Sequence, residues 1–187
     1  MQNEINNSLK ILKKGGTILY PTDTVWGIGC DATNAKAVAK VFNLKSRPEK
    51  KSLIILLDEI SKISDYVKVF PPQVIDLINS YDRPLTIVFP GAKNLAKNLI
   101  SDDGAIAIRV VNNAFCKKLI SELGKPLVST SANISGSPTP NVFRDISKYI
   151  KEKVDYIVNV DQEKLVPAKP SSVIKIDVNG SYEILRS

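Results

Sequence analysis

Side chains able to hold anions or order a polar ligand fall at intervals along this chain of 187 residues. The densest stretch is LVSTSANISGSPTP, residues 127–140, where a short apolar run gives way to Ser129, Thr130, Ser131, Asn133, Ser135, Ser137 and Thr139. Hydroxyls and an amide released where a strand stops are a frequent way for an α/β sheet to meet a ligand. The alternative is a polar connection whose hydroxyls satisfy their own backbone. Cations stand elsewhere: Lys45 and Arg47 separated by one residue, Arg109 inside an aliphatic run, and Arg186 next to the last residue. Lys45 and Arg47 either complement the end of a helix or, held close by Pro48, suit a polyphosphate. Arg109 either snorkels to solvent or points into a site. The loop Pro21-Thr22-Asp23-Thr24 and the segment Pro170-Ser171-Ser172 add further hydroxyls.

Composition narrows the chemistry. The chain has no histidine and two cysteines, Cys30 and Cys116, far apart and without CxxC spacing. That pattern argues against a zinc site and against a thiol–imidazole pair, and both thiols read as small buried hydrophobes. Chemistry at neutral pH would then rest on positioning and on cations rather than on imidazole proton transfer. The formal charge is +7 and the pI about 9.3. The excess favours an anionic partner such as a nucleotide, pyrophosphate or RNA, or else a solvated basic surface. Hydrophobic residues make up 43% and charged residues 24%, an ordinary globular balance. One domain over 1–187 is expected. The aliphatic run 53–57 is far shorter than the roughly 20 residues a membrane span needs. No secretory signal is visible at the N-terminus, so a cytoplasmic protein is expected.

The elements that must position these residues read as alternating helices and strands. A helix is expected over 3–14, capped by Asn3 and ended by Gly15-Gly16. A strand over 17–20 is stopped by Pro21. Residues 21–29 read as a loop carrying Trp26, the one tryptophan, which either packs on a planar ligand or joins the core. The spacing predicts a helix over 35–44 that delivers Lys45 and Arg47, then a buried strand over 53–57. Helices are expected over 60–66 and 72–81, strands over 85–89 and 104–111, and a helix over 114–123 closed by Gly124. Beyond Pro140 the pattern gives a helix over 142–150 and strands over 155–160, 172–177 and 181–185, the last two joined through Asn179-Gly180. Residues 165–170 read as a proline-bounded loop. The class is α/β.

Taken together, these blocks resemble the threonylcarbamoyl-AMP synthase family, the YrdC-like domain. The resemblance rests on GGTILYPTDTVWGIGCDA, on LKSRPEKKSLIIL and on KPLVSTSANISGSPT, and it covers 15–186. It implies the short single-domain bacterial type: a twisted sheet of mixed parallel and antiparallel strands flanked by helices, with a basic concave face. It also implies a nucleotidyltransferase that makes L-threonylcarbamoyladenylate and pyrophosphate from L-threonine, bicarbonate or CO2, and ATP, with Mg2+ on the triphosphate. The product would go to separate proteins that modify tRNA, and tRNA itself is a partner the family raises. By resemblance, Lys45, Arg47, Ser131 and Asn133 are the catalytic residues. Thr22, Arg109 and Ser171 would bind threonine. Lys45, Arg47, Ser129, Ser131 and Asn133 would bind the nucleotide, together with Thr139 and Arg186. No residue is expected to bind a metal directly. Trp26 stands where the family commonly has tyrosine or phenylalanine, Ala105 where some relatives place a hydroxyl, and Arg186 where terminal fraying would loosen its grip. The rival is a non-catalytic module that docks tRNA or double-stranded RNA through phosphate contacts. The hydroxyl-rich turn discriminates, since RNA docking does not need it.

Overall fold

The structure is a computed structural model that describes residues 1–46, 53–162 and 170–187. Its strands are β1 (Ile18–Tyr20), β2 (Gly27–Gly29), β3 (Ile54–Leu57), β4 (Leu85–Phe89), β5 (Ile106–Val110), β6 (Leu127–Ser131), β7 (Tyr156–Ile157), β8 (Ser172–Ile176) and β9 (Tyr182–Arg186). They form one nine-stranded sheet in the order β7-β1-β2-β6-β3-β5-β4-β8-β9. The pairs β1–β7, β3–β5 and β4–β8 are parallel and the remaining neighbours antiparallel. The helices are α1 (Gln2–Lys13), α2 (Ala35–Leu44), α3 (Gln73–Ser80), α4 (Ala114–Leu123) and α5 (Lys148–Lys153). The mixed α/β architecture is the expected one. Among the described residues no helix is long and apolar enough to cross a membrane.

Strand alternation divides the apolar side chains between two cores. Ile18 and Tyr20 of β1, Leu56 of β3 and Leu127 of β6 pack with Ile5 and Leu9 of α1 and with Phe115 and Leu119 of α4. Their neighbours Leu19, Ile55, Leu57 and Val128 face the other way, against Val38, Val41 and Phe42 of α2. Register then fixes what else lies on the α1/α4 face. Leu56 is paired with Arg109, Ile54 with Ser129, and Gly27 with Ser131. The polar end of β6 therefore continues the face that Leu127 begins.

Local patterns placed some elements correctly and others not. The structure has α2, β4 and α4 at the expected bounds, with Asn34 and Asn113 accepting from backbone amides at the two helix starts and Gly124 left-handed at the end of α4. The first helix starts earlier than expected, with Met1 as N-cap and no side-chain cap. Asn3 lies within its first turn, and Ile5 is fully buried. The helix expected over 60–66 is a 3-10 segment, Ile60–Asp65. The one expected over 142–150 breaks into a 3-10 turn, Phe143–Asp145, and α5, because the Ser147 hydroxyl accepts from Ile150 N and starts a new helix. The strand expected over 155–160 is reduced to β7. Residues 21–29 are not all loop, for they contain β2. Gly29 is required there: a Cβ on it would collide with the Val128 carbonyl and with the Tyr20 ring. Trp26 is a core residue, 6% exposed, with its ring 4.9 Å from that of Phe143.

Candidate active site

Beside the region that α1 and α4 cover, the same face of the sheet opens into a cleft of about 260 Å3. Leu53 and Ile54 give it an apolar floor, and Arg109, Ser129 and Ser131 reach it from neighbouring strands. Thr24 and Val25 of the β1–β2 connection close one side. Thr139, Pro170, Ser171 and Arg186 complete the wall. Residues far apart in sequence thus converge because β6, β3 and β5 are sheet neighbours and β8–β9 lies beyond β4. The site occupies the face of the sheet as well as the end of β6, which runs on to Ser131.

The turn after β6 is held from behind by α2. Lys45 is the C-cap of that helix and is 1% exposed. Its Nζ donates to the Ser131 carbonyl at 2.5 Å and the Asn133 carbonyl at 2.6 Å, and lies 3.3 Å from Asn133 Oδ1. Its own carbonyl accepts from Ser135 N at 3.0 Å. Ser131 Oγ donates to Asn133 Oδ1, and Asn133 Nδ2 donates to the Ser137 carbonyl. Ser131 lines the cleft, whereas Lys45 and Asn133 reach it through their contacts with the Ser131 turn and are not among its lining residues. Arg47, expected beside Lys45, lies outside the described residues.

Arg109 does not snorkel. Its side chain is 3% exposed, and Nη2 lies 3.1 Å from Oδ1 of Asp23. Oδ2 of the same carboxylate accepts from Asn112 N at 2.9 Å. The pair is close but not aligned as a hydrogen bond, and both Asp23 Oδ1 and Arg109 Nε are buried without hydrogen-bond partners. Thr22 is not among the residues that line the cleft. Its hydroxyl donates to the Val25 carbonyl at 2.7 Å and accepts from Thr24 N at 3.1 Å, and it lines a smaller cavity on the Trp26 side.

At the opposite wall, Ser171 Oγ is 2.8 Å from Thr86 Oγ1. Arg186 donates Nε and Nη2 to the Ser171 carbonyl at 3.0 and 2.8 Å. Arg186 is thus a tethered residue of β9 rather than a frayed end. Partial burial first, then the nearby Arg109 and Arg83, lower its pKa from the usual arginine value. Reasoning from sequence gave no role to Asp23 or Thr86. Asp23 was visible as the one acid within the hydroxyl loop, whereas nothing local marks Thr86, a strand residue that becomes significant only through the β4–β8 pairing. Among the described residues no cluster of three histidine, cysteine or carboxylate side chains is placed to hold a metal ion.

A family model for Sua5, YciO and YrdC proteins, described as telomere recombination, matches residues 10–187. A threonylcarbamoyl-AMP synthase of Pseudoalteromonas translucida is 37% identical over 182 residues, 96% of each chain. Sua5 of P. abyssi, solved in complex with L-threonine, superposes with a TM-score of 0.87 at 26% identity. That match covers 97% of this chain and 53% of the longer Sua5 chain. YciO of E. coli superposes with a TM-score of 0.86 at 25% identity, covering 100% of this chain and 90% of the other. Buried cations, strand-borne hydroxyls and sheet order agree with a match over nearly the whole length: this chain belongs to the Sua5/YciO/YrdC family.

Proposed function

We propose that this chain is a threonylcarbamoyl-AMP synthase, joining L-threonine, bicarbonate or CO2, and ATP into L-threonylcarbamoyladenylate with release of pyrophosphate. The observation that carries the proposal is the convergence of Arg109, Ser129, Ser131, Ser171 and Arg186 on one cleft. The likeness to the P. translucida synthase over 96% of both chains supports it, as does that to the threonine-bound Sua5.

The chemistry demands little proton transfer and much positioning. The threonine amine adds to the carbon of CO2, loses a proton and becomes a carbamate. One carbamate oxygen then forms a bond to the α-phosphorus while the bond to the pyrophosphate oxygen breaks. Both reactants are anionic, so the barrier is lowered mainly by fixed positive charge and by alignment. Arg109 would anchor the threonine carboxylate, with the Ser171 hydroxyl nearby. Ser129, Ser131 and Thr139 would order the nucleotide, and Arg186 would add charge beside its phosphates. Lys45 would act through the turn it clamps, keeping Ser131 and Asn133 in place and adding positive charge behind them. Thr22 would shape the loop that presents Thr24 and Val25, and Arg47 is assigned to the nucleotide on resemblance alone. Mg2+ fits this donor set as part of the nucleotide substrate: phosphate oxygens and water would supply most of its ligands. The domain responsible spans the residues matched by the family model, 10–187. Delivery of the adenylate to tRNA-modifying proteins, in the cytoplasm, completes the proposal. An RNA-docking module has no use for the hydroxyls that line the cleft.

The test is pyrophosphate release by the pure protein with ATP, Mg2+, bicarbonate and L-threonine. Release should stop when threonine is omitted, and release that ignores the omission would refute the assignment.

A further inference from the structure

A buried guanidinium needs a counter-charge, and Arg109 has one in Asp23, which is not among the residues lining the cleft. Arg109 is a cleft residue, whereas Asp23 sits 3.1 Å from its Nη2 with only 9% of its side chain exposed. Asp23 is pinned in turn by the Asn112 amide. The ion pair with Asp23 leaves the Arg109 guanidinium short of hydrogen-bond acceptors, since its Nε–H has no partner, and the residue lines the cleft where a carboxylate would enter. We propose that Asp23 determines the specificity of the amino-acid subsite: by neutralising Arg109, it makes the subsite select a zwitterionic α-amino acid over an anion that lacks an ammonium group. The inference rests on Arg109 being the anchor of the threonine carboxylate, as proposed above.

A simple carboxylate or a phosphate on Arg109 gains the attraction of one charge and meets the repulsion of Asp23. An α-amino acid meets the same repulsion at its carboxylate, but its ammonium, one carbon away, is attracted by Asp23. Charges about 6 Å apart at an effective dielectric near 20 shift an affinity by roughly 10- to 100-fold. The same pairing disfavours free phosphate at the subsite, which matters in a cleft proposed to hold a triphosphate a short distance away.

The experiment compares L-threonine with 3-hydroxybutyrate, which is threonine without its amino group, by calorimetric titration of the full chain. The wild type should prefer threonine. In Asp23→Asn, which keeps an oxygen for the Asn112 amide, that preference should fall about tenfold or more, because both ligands escape the repulsion at the carboxylate while threonine alone loses the attraction on its ammonium. A folded Asp23→Asn with unchanged preference overturns the proposal, since a merely structural Asp23 would weaken both ligands alike. Should the variant fail to fold, the wild type still decides. Binding of 3-hydroxybutyrate or inorganic phosphate in competition with L-threonine, and as tightly, would overturn the proposal, and a clear preference for threonine would support it. Pyrophosphate release separates the two levels. Threonine-dependent release with an unchanged preference in Asp23→Asn sinks only the role of Asp23, whereas absent release sinks the synthase assignment beneath it.

Discussion

The ammonium of Lys45 lies 2.6 Å from the carbonyl oxygen of Asn133, so the end of α2 and the turn after β6 form one unit. Lys45 is 1% exposed, and its removal leaves the Ser131 and Asn133 carbonyls without this donor. Truncating one side of such a contact costs the desolvation of what remains, about 2 kcal/mol, which for a chain of this size lowers Tm by about 4–8 °C. Lys45→Ala should therefore lose both stability and turnover, the latter by roughly 100- to 1000-fold. Differential scanning calorimetry beside the pyrophosphate assay checks both. Unchanged Tm would mean that Lys45 serves the ligand alone.

Ser131 should behave differently. Its hydroxyl donates to Asn133 Oδ1 and its side of the turn faces the cleft, but the residue is only half-buried. Ser131→Ala should lower turnover by roughly 100-fold with a Tm change within about 4 °C. Filter binding of tRNA, measured on the same variant, separates catalysis from docking: tRNA retention with turnover lost is the pattern expected of an enzyme cleft.

The elements legible in sequence are those whose signals are local. The bounds of α2 and α4 follow from an apolar stripe, from Asn34 or Asn113 at the start and, for α4, from Gly124 at the end. β2 was hidden because Gly27 and Gly29 carry no hydrophobic pattern, and the reason for Gly29, the space taken by the Val128 carbonyl and the Tyr20 ring, is set by strand pairing. The candidate site was legible as a set of residue types but not as a geometry. That Arg109 faces the cleft follows from its register with Leu56, and its pairing with Asp23 depends on where the β1–β2 loop crosses the sheet. The same limit applies to Thr22, whose hydroxyl donates to the Val25 carbonyl, a contact that the sequence does not show.

Thr86 and Ser171 share a buried hydroxyl–hydroxyl contact of 2.8 Å. Thr86→Val removes one partner while preserving shape, leaving a buried polar group that costs about 1–3 kcal/mol. Removing both hydroxyls should recover part of that loss, so Thr86→Val with Ser171→Ala should be more stable than the two single effects add up to. Chemical denaturation of the two single variants and the double variant measures the coupling. Strict additivity would show that the contact carries no energy.

Cys30 and Cys116 are both fully buried, and burial pushes both thiols far above the ordinary cysteine pKa, with Asp31 adding to the effect at Cys30 and Asp23 at Cys116. Two consequences follow. At pH 8 neither thiol should react with an aromatic disulfide reagent until the protein is unfolded, because the thiolate is the reactive form. The second concerns stability. The folded-state pKa values are raised, so the unfolded chain releases its thiol protons first, above a pH of about 8.5. The stabilisation associated with the protonated thiols is fully present below that pH and declines as pH rises beyond it. Tm measured from pH 7 to 10 should fall across the upper part of that range, and the fall should be shallower in Cys116→Ala, which removes one of the two titrating groups. Equal slopes for the wild type and Cys116→Ala would assign the alkaline loss of stability to other residues.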